Sequence, residues 1–151
     1  MEEDGLIIYV DGASRGNPGP AGIGIVFLGP EGEGRAEESA YIGEATNNVA
    51  EYQALLSALK RAREMGADRV LVRTDSELLF RQIQGRYRVK SPNLIPLFQE
   101  VISSIKAFSE FQLERIPRNE NKRADQLANL AVDVSLTNRK PQGPDQPQGS
   151  S

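Results

Sequence analysis

The alternation of apolar and polar residues begins with three predicted strands. The predicted strands are residues 6–10 and 22–28, which carry runs of apolar side chains, and residues 35–43. The glycine-rich turns GNPGPAG and GPEGEG separate them. Three consecutive strands joined by short turns are typical of an antiparallel meander.

The pattern then changes to a helical period. Apolar residues recur in residues 48–65 at the spacing of an amphipathic helix, and Gly66 is placed to end it. A strand of residues 69–75 follows, and this strand–helix–strand connection makes it parallel to the first strand. The remaining predicted elements are helices at 76–84, 93–108 and 120–134 and a strand at 110–116. The fold class is therefore α/β, a five-stranded mixed sheet flanked by helices.

Length and composition indicate a single domain. The chain has 151 residues, 38% of them hydrophobic, which suffices for one core in residues 1–134. Residues 135–151 are rich in proline, glycine, glutamine and serine, so we predict a disordered tail. No apolar run approaches the roughly 18 residues of a membrane span, and MEEDG is unlike a signal peptide. We expect a soluble, cytoplasmic monomer without membrane contact.

The absence of cysteine and histidine limits the kinds of catalysis and metal binding that the chain can support. The chain has no cysteine and no histidine, which excludes disulfides, thiolate metal sites and imidazole catalysis. The net charge of −3 argues against binding of nucleic acid by global attraction, although a local basic surface or bound cations leave it open. Any catalysis must therefore depend on carboxylates.

Four carboxylates occupy positions that a simple core does not explain. Asp11 ends the first strand and Asp75 the fourth, so parallel pairing places them about 5 Å apart at the edge where α/β sheets bind ligands. Glu51 lies on the apolar stripe of its helix, and Asp125 lies in the first turns of the last helix. We expect the four to converge.

Each acid also has an ordinary interpretation. Asp11 fits a turn, Asp75 a helix N-cap, Glu51 a partner of an arginine, and Asp125 the helix dipole. Together, however, clustered like charges require protons or cations. Ligation by oxygen alone favours Mg²⁺ or Mn²⁺, and two such ions roughly 4 Å apart form a site for in-line displacement at phosphorus.

Four sequence blocks add a family resemblance. YVDGASRGNPGPAGIGIV, TNNVAEYQALLSAL, VRTDS and NENKRADQLANLA resemble, in order and spacing, the conserved blocks of type 1 ribonuclease H over residues 6–134. The resemblance implies the ribonuclease H-like fold and an endoribonuclease that cleaves the RNA strand of RNA/DNA hybrids, leaving 5′-phosphate and 3′-hydroxyl ends. It also implies two Mg²⁺ ions, replaceable by Mn²⁺, on Asp11, Glu51, Asp75 and Asp125.

The same blocks imply contacts to the hybrid. The substrate-binding candidates are Gly12, Ser14, Asn17, Thr46, Asn47, Asn48 and Glu77. Amides and hydroxyls at a helix N-terminus suit sugars and phosphates, with Thr46 assigned to a DNA phosphate. The alternatives are that the glycine-rich segment is only a hairpin turn and that Asn47 only caps the helix.

The sequence departs from the family at three places. Arg118 stands in the loop where many members carry a histidine; it stays protonated, so its role is either electrostatic, in catalysis or product release, or that of a solvated charge. Glu77 replaces a glutamine that lies near the RNA strand. The family's basic protrusion is missing, and residues 86–90, RYRVK, either substitute for it or form a solvated surface.

Two other functions remain open at this point. A broader nuclease would also cut double-stranded RNA, because shape and 2′-OH contacts govern recognition. A hybrid-binding module without catalysis would keep the fold, although it gains nothing from carboxylates that repel phosphate.

Overall fold

The computed structural model describes residues 5–139. Its strands are β1 (Gly5–Ser14), β2 (Gly19–Leu28), β3 (Gly34–Ala45), β4 (Arg69–Thr74) and β5 (Glu110–Arg115). Its helices are α1 (Asn47–Glu64), α2 (Glu77–Ile83), α3 (Ile95–Ile105) and α4 (Lys122–Arg139). No helix in this range is long and apolar enough to cross a membrane.

The five strands form one mixed sheet in the order β3-β2-β1-β4-β5. β1, β2 and β3 pair antiparallel, whereas β1 with β4 and β4 with β5 pair parallel. The predicted meander, the parallel partner of the first strand and the α/β class are all confirmed.

β1 is longer than predicted, and Asp11 lies inside it rather than at its end. The parallel pairing of β1 with β4 runs to Tyr9, opposite Arg73, but the pairing with β2 continues to Ser14. The expectation that Asp11 ends the strand was therefore wrong, because the antiparallel partner extends β1. Asp11 still stands just beyond the last parallel pair.

Helices cover the two faces of the sheet. The face that carries Ile8 and Val10 packs against the apolar stripe of α1, which includes Leu55 and Leu59, all without solvent exposure. The opposite face of β2 and β3 packs against α4. α1 ends as predicted: Gly66 has φ of +85°, and the amides of residues 66 and 67 bond back to the last turn.

α4 differs from the predicted helix at both ends. Residues 118–120 form a short 3₁₀ turn, so the helix begins at Lys122 instead of residue 120. It extends to Arg139, which corrects the predicted start of the tail at residue 135, since no glycine or proline follows Val134 before Pro141. Residues 140–151 of the predicted tail lie outside the described residues.

Glycines allow α4 to approach the sheet closely. A Cβ atom at Gly24 would lie 2.0 Å from the carbonyl oxygen of Ala124, and one at Gly22 would lie 2.4 Å from that of Ala128. Both distances are far below van der Waals contact with a rigid helix backbone. The short separation between the sheet and α4 thus depends on the absence of a side chain at Gly22 and Gly24 of β2.

We predict that Gly24→Ala lowers the free energy of unfolding by about 3 kcal/mol, because the methyl group pushes α4 away from the sheet. Urea unfolding of the two proteins measures the difference. Gly34→Ala is the matched control, since a Cβ there meets nothing within 4 Å, and it should change stability by less than about 0.5 kcal/mol. Equal losses in both variants would contradict the packing argument.

Candidate active site

Three carboxylates from different elements meet at the end of the parallel strand pair. Asp11 of β1, Glu51 of α1 and Asp75 just after β4 each offer a carboxylate oxygen, and these oxygens lie within 4.8 Å of one another. Asp11 is only 5% exposed, whereas Glu51 and Asp75 are half-buried. The register of β1 with β4 ends at Tyr9 opposite Arg73, and Asp11 and Asp75 each stand two residues beyond this pair, close together as the sequence predicted.

Gly12 brings the helical member of this group to the strand. A Cβ atom at Gly12 would lie 2.3 Å from the carbonyl carbon of Ala50, so glycine is required where α1 crosses β1. The amide of Gly12 also donates a hydrogen bond to Oε1 of Glu51 at 3.2 Å. Glu51 is therefore held by a backbone amide.

Asp75 is free of the capping role that its position in the sequence allowed. Ser76 caps α2, with its hydroxyl accepting from the amide of Leu79 at 3.1 Å. The N-cap interpretation of Asp75 was thus wrong by one residue, because the cap must precede the first helical residue, Glu77. The Asp75 carboxylate is left to face the other acids.

Asn121 is a site residue that the sequence reasoning missed. It is 1% exposed, and its Nδ2 donates to Oδ2 of Asp75 and to the carbonyl oxygen of Val10, both at 2.9 Å. Both partners are pure acceptors, so the amide is fixed with its nitrogen toward them. It lies within the predicted helix of residues 120–134, and no feature of the local sequence indicates that its side chain is buried.

Asp125 approaches the group from the first turn of α4. Asp125 contributes to the raised pKa of Asp11, and Asn129, one turn later, donates to Oδ1 of Asp125 at 3.2 Å. Asp125 therefore faces the other acids, as predicted.

The electrostatics of the group favour protons or cations. Burial, followed by the charge of Asp75 and the contact with Asp125, raises the pKa of Asp11 to about 8. Burial also raises the pKa of Glu51 well above its ordinary value, with the charges of Asp11 and Asp75 adding to it. Oxygen ligands that resist ionisation without a counter-charge fit a hard divalent cation.

Arg118 is the cation that faces these acids. It lies exposed in the 3₁₀ turn before α4, and its charge lowers the pKa values of both Asp11 and Glu51. It lines a cleft of about 340 Å³ together with the four acids and Arg15. The loop position predicted for it therefore does bring it to the carboxylates.

The predicted substrate residues of the turn and of α1 form one hydrogen-bonded corner. Asn47 accepts from the amide of Ser14 at 2.9 Å, and Asn17 accepts from the amide of Asn47 at 3.0 Å. The hydroxyl of Ser14 donates to the carbonyl oxygen of Ala45 at 2.6 Å. Ser14 and Asn47 line the cleft with Gly12, so the corner borders the acids.

Thr46, rather than Asn47, caps α1. Its side chain accepts from the amide of Val49 at 3.2 Å, so the alternative that Asn47 is the cap was wrong. Asn47 is instead the first helical residue, and Asn48 beside it is exposed. Their side chains lie at the helix N-terminus, where backbone amides favour anions.

Glu77 is engaged elsewhere. Its Oε2 pairs with Nε of Arg81 at 2.8 Å, which lowers its pKa, and it does not line the cleft with the four acids. The basic residues of segment 86–90 are exposed beyond α2, where the guanidinium of Arg81 lies 5.5 Å from the ring centre of Tyr87. Glu77 and the basic residues of segment 86–90 therefore lie outside the acid cluster.

Comparisons with known proteins agree with this geometry. Residues 9–131 match the family model described as reverse transcriptase-like. Ribonuclease HI of Halobacterium salinarum is 42% identical over 125 residues, which are 83% of this chain and 63% of that protein. Three mycobacterial proteins are also 42% identical, and this chain spans 36% of their length.

Solved structures extend the likeness to the fold. RNase H1 of Halobacterium salinarum superposes with a TM-score of 0.84 at 41% identity, covering 86% of this chain and 98% of that one. LC11-RNase H1 in complex with an RNA/DNA hybrid gives 0.82 at 47% identity, covering 87% and 99%. The mixed sheet and its flanking helices are those of these proteins.

We predict that the metal-free protein loses stability as the pH rises from about 4 to about 8. Folding raises the pKa of Asp11 from 3.8 to about 8, so the native state binds more protons than the unfolded state across this window, and its stability falls. In EDTA at pH 8, Asp11→Asn should therefore raise the free energy of unfolding by on the order of 2 kcal/mol. A pKa change of one unit corresponds to about 1.4 kcal/mol, and we expect only part of the full change in the Asp11 pKa to appear in the stability.

Urea unfolding at pH 5 and pH 8 measures this effect. Glu64→Gln removes an exposed carboxylate at the end of α1 and should leave the pH dependence unchanged. The same decline of stability in Asp11→Asn as in the unsubstituted protein would show that Asp11 ionises without cost.

Proposed function

This chain belongs to the ribonuclease H family, and we propose that it is a metal-dependent endoribonuclease that hydrolyses the RNA strand of RNA/DNA hybrids. The observation that carries the proposal is the convergence of Asp11, Glu51 and Asp75, with oxygens within 4.8 Å of one another, joined by Asp125. Such a cluster stabilises nothing by itself, because its members repel one another.

The donor set supports divalent metal ions as the cofactor. All four side chains offer oxygen, which suits Mg²⁺, with Mn²⁺ as a substitute, better than softer metals. Two such ions bound there would activate the attacking water and stabilise the leaving oxygen of a phosphodiester. The carboxylates hold the cations and need form no covalent bond to RNA, and the products carry 5′-phosphate and 3′-hydroxyl ends.

The hydrogen-bonded corner supports the substrate assignment. Ser14, Asn17 and Asn47 lock the turn after β1 to the N-terminus of α1, so polar groups stand in a fixed arrangement beside the acids. A rigid corner suits the sugar edges of a duplex, and Thr46 and Asn48 lie at the helix end that attracts phosphate. A similar structure is that of LC11-RNase H1 with a bound RNA/DNA hybrid.

Arg118 acts electrostatically in this proposal. Its guanidinium remains protonated and cannot serve as a general base. Exposed at the rim of the cleft, it is free to bind the scissile or departing phosphate through charge-assisted hydrogen bonds. It would replace the mobile histidine of other family members in product release rather than in proton transfer.

The four acids and Arg118 of a single chain line one cleft. We therefore propose that the monomer is sufficient for activity.

The decisive experiment compares four substrates of one labelled sequence: RNA/DNA hybrid, RNA duplex, single-stranded RNA and DNA duplex. We predict cleavage of the hybrid in Mg²⁺ and in Mn²⁺ and none in EDTA. Asp75→Asn should lower the rate by more than about 100-fold, because losing a metal ligand costs at least as much as losing a partner of one. Cleavage of the RNA duplex would indicate the broader nuclease.

Asp68→Asn is the matched control for Asp75→Asn. Asp68 precedes the opposite end of β4 and bonds to Ser109, so its substitution should leave the rate unchanged. Binding of the hybrid without cleavage in either metal would overturn the enzymatic proposal and favour a binding module.

We further predict that Arg118→Ala lowers kcat by about tenfold or more, since it removes a cation that faces the reacting phosphate. Arg118→Lys should recover part of this loss if the charge is sufficient and little of it if the planar fork is required. Single-turnover and steady-state rates separate cleavage from product release. Lys122→Ala, an exposed cation on the first turn of α4, is the control, and unchanged kinetics in Arg118→Ala would assign Arg118 to the solvated surface.

A further inference from the structure

Asp125 is held in the cleft by a chain of hydrogen bonds that the proposed function does not use. Nδ2 of Asn129 donates to Oδ1 of Asp125 at 3.2 Å and to its carbonyl oxygen at 2.9 Å. Nη2 of Arg15 donates to Oδ1 of Asn129 at 3.0 Å and pairs with Oδ1 of Asp133 at 2.9 Å. We call Arg15, Asn129 and Asp133 the Asp125 brace.

The brace has a fixed polarity. An asparagine amide can be turned over, with its oxygen and nitrogen exchanged, at little steric cost. Here the guanidinium of Arg15 requires an acceptor on one side and the carboxylate of Asp125 requires a donor on the other. Turning the amide over would create a repulsion at each end, so Arg15 determines that Asn129 presents its donor to Asp125.

Asp125 needs such a hold because its neighbours repel it. It lies on a half-buried helical position, where its side chain can adopt more than one staggered rotamer. The bond from Asn129 occupies Oδ1 and favours the rotamer that faces the other acids. In α4, Asp125, Asn129 and Asp133 follow at intervals of four residues, so they share one helix face beside Arg15.

Arg15 extends the brace to a distant part of the chain. It lies in the turn between β1 and β2, 114 residues before Asn129, and its own amide closes that turn by donating to the carbonyl oxygen of Pro20 at 2.8 Å. The same turn contains Asn17, which bonds to the start of α1. The Asp125 brace therefore joins the hydrogen-bonded corner to α4, the helix that carries Asp125.

We propose that Asn129 and Arg15 are positioning residues that hold the Asp125 carboxylate toward the metal site, and that Arg15 makes this hold depend on the glycine-rich turn. The inference rests on the proposed function and adds a second layer to its site. Neither residue touches the reacting atoms in this account; both act through Asp125.

The test uses Asn129→Leu, which keeps the size of the side chain and removes the amide, and Arg15→Met, which keeps the aliphatic stem. Mn²⁺ binding is measured by calorimetry without substrate, and kcat and KM are measured on the hybrid. The matched controls are Asn138→Leu on the same helix and Arg35→Met. Arg35 lies at the start of β3 and pairs with Glu33, away from the acids.

We expect Asn129→Leu to weaken Mn²⁺ binding and to lower kcat by about tenfold each, as is usual for partners of a metal ligand, with KM changed less than about twofold. Arg15→Met should produce a smaller change in the same direction, because the side-chain amide of Asn129 remains but its orientation is no longer fixed by Arg15. Both controls should match the unsubstituted protein, and thermal unfolding in EDTA shows whether each variant is folded.

A double-mutant cycle distinguishes positioning from a general structural effect. If Asn129 acts only through Asp125, Asn129→Leu should cost nothing further in an Asp125→Asn background. Additive losses would overturn the inference, as would unchanged metal binding and kcat in Asn129→Leu. An unsubstituted protein that neither cleaves the hybrid nor binds Mn²⁺ would instead overturn the proposed function itself, and the brace with it.

Discussion

The mutual repulsion of carboxylates at one edge of the sheet is the constraint on which this site depends. Asp11, Glu51 and Asp75 are brought within 4.8 Å of one another, and burial together with their charges raises the pKa values of Asp11 and Glu51. The free energy that keeps them together comes from elsewhere in the fold: from the β1–β4 register, from the apolar core beneath α1 and from donors such as the Gly12 amide. The rigid surroundings hold the acids in an arrangement that a cation would stabilise.

Close approach of backbones is what makes this arrangement possible. Gly12 allows α1 to cross β1 so that Glu51 reaches Asp11, and Gly24 allows α4 to lie against β2 so that Asp125 reaches the same place. A methyl group at either position would occupy space already filled by helix backbone. The two helices that carry acids, α1 and α4, thus pack closely on the sheet because the neighbouring strands β1 and β2 have glycines at the points of contact. The same close packing that forms the core therefore also sets the distances between the acids.

Asparagine side chains fix what the backbone brings together. Asn121 ties Asp75 to the carbonyl of Val10, Asn129 holds Asp125, and Asn47 joins the turn after β1 to α1. Asn121 and Asn129 donate to carboxylates and carbonyls, whereas Asn47 accepts from a backbone amide, and none of the three adds charge to a crowded acidic site. A lysine or arginine in these places would compete with metal ions for the carboxylates. The polar layer around the acids therefore orients them and leaves their charge available.

The class of the fold, the parallel pairing of β1 with β4 and the four candidate acids could be predicted from the amino-acid sequence. They follow from the hydrophobic period, from the connection between strands and from charges placed where a core does not tolerate them. Other features became visible only in the folded chain: β1 runs past Asp11, Ser76 and Thr46 are the helix caps, and α4 continues to Arg139. The same holds for the burial of Asn121 and for the contact of Arg15 with Asn129. The physical reason is that a strand's length depends on its partner, and that a polar residue's role depends on which distant group it meets. Both are properties of contacts between segments far apart in the chain, which no local pattern records.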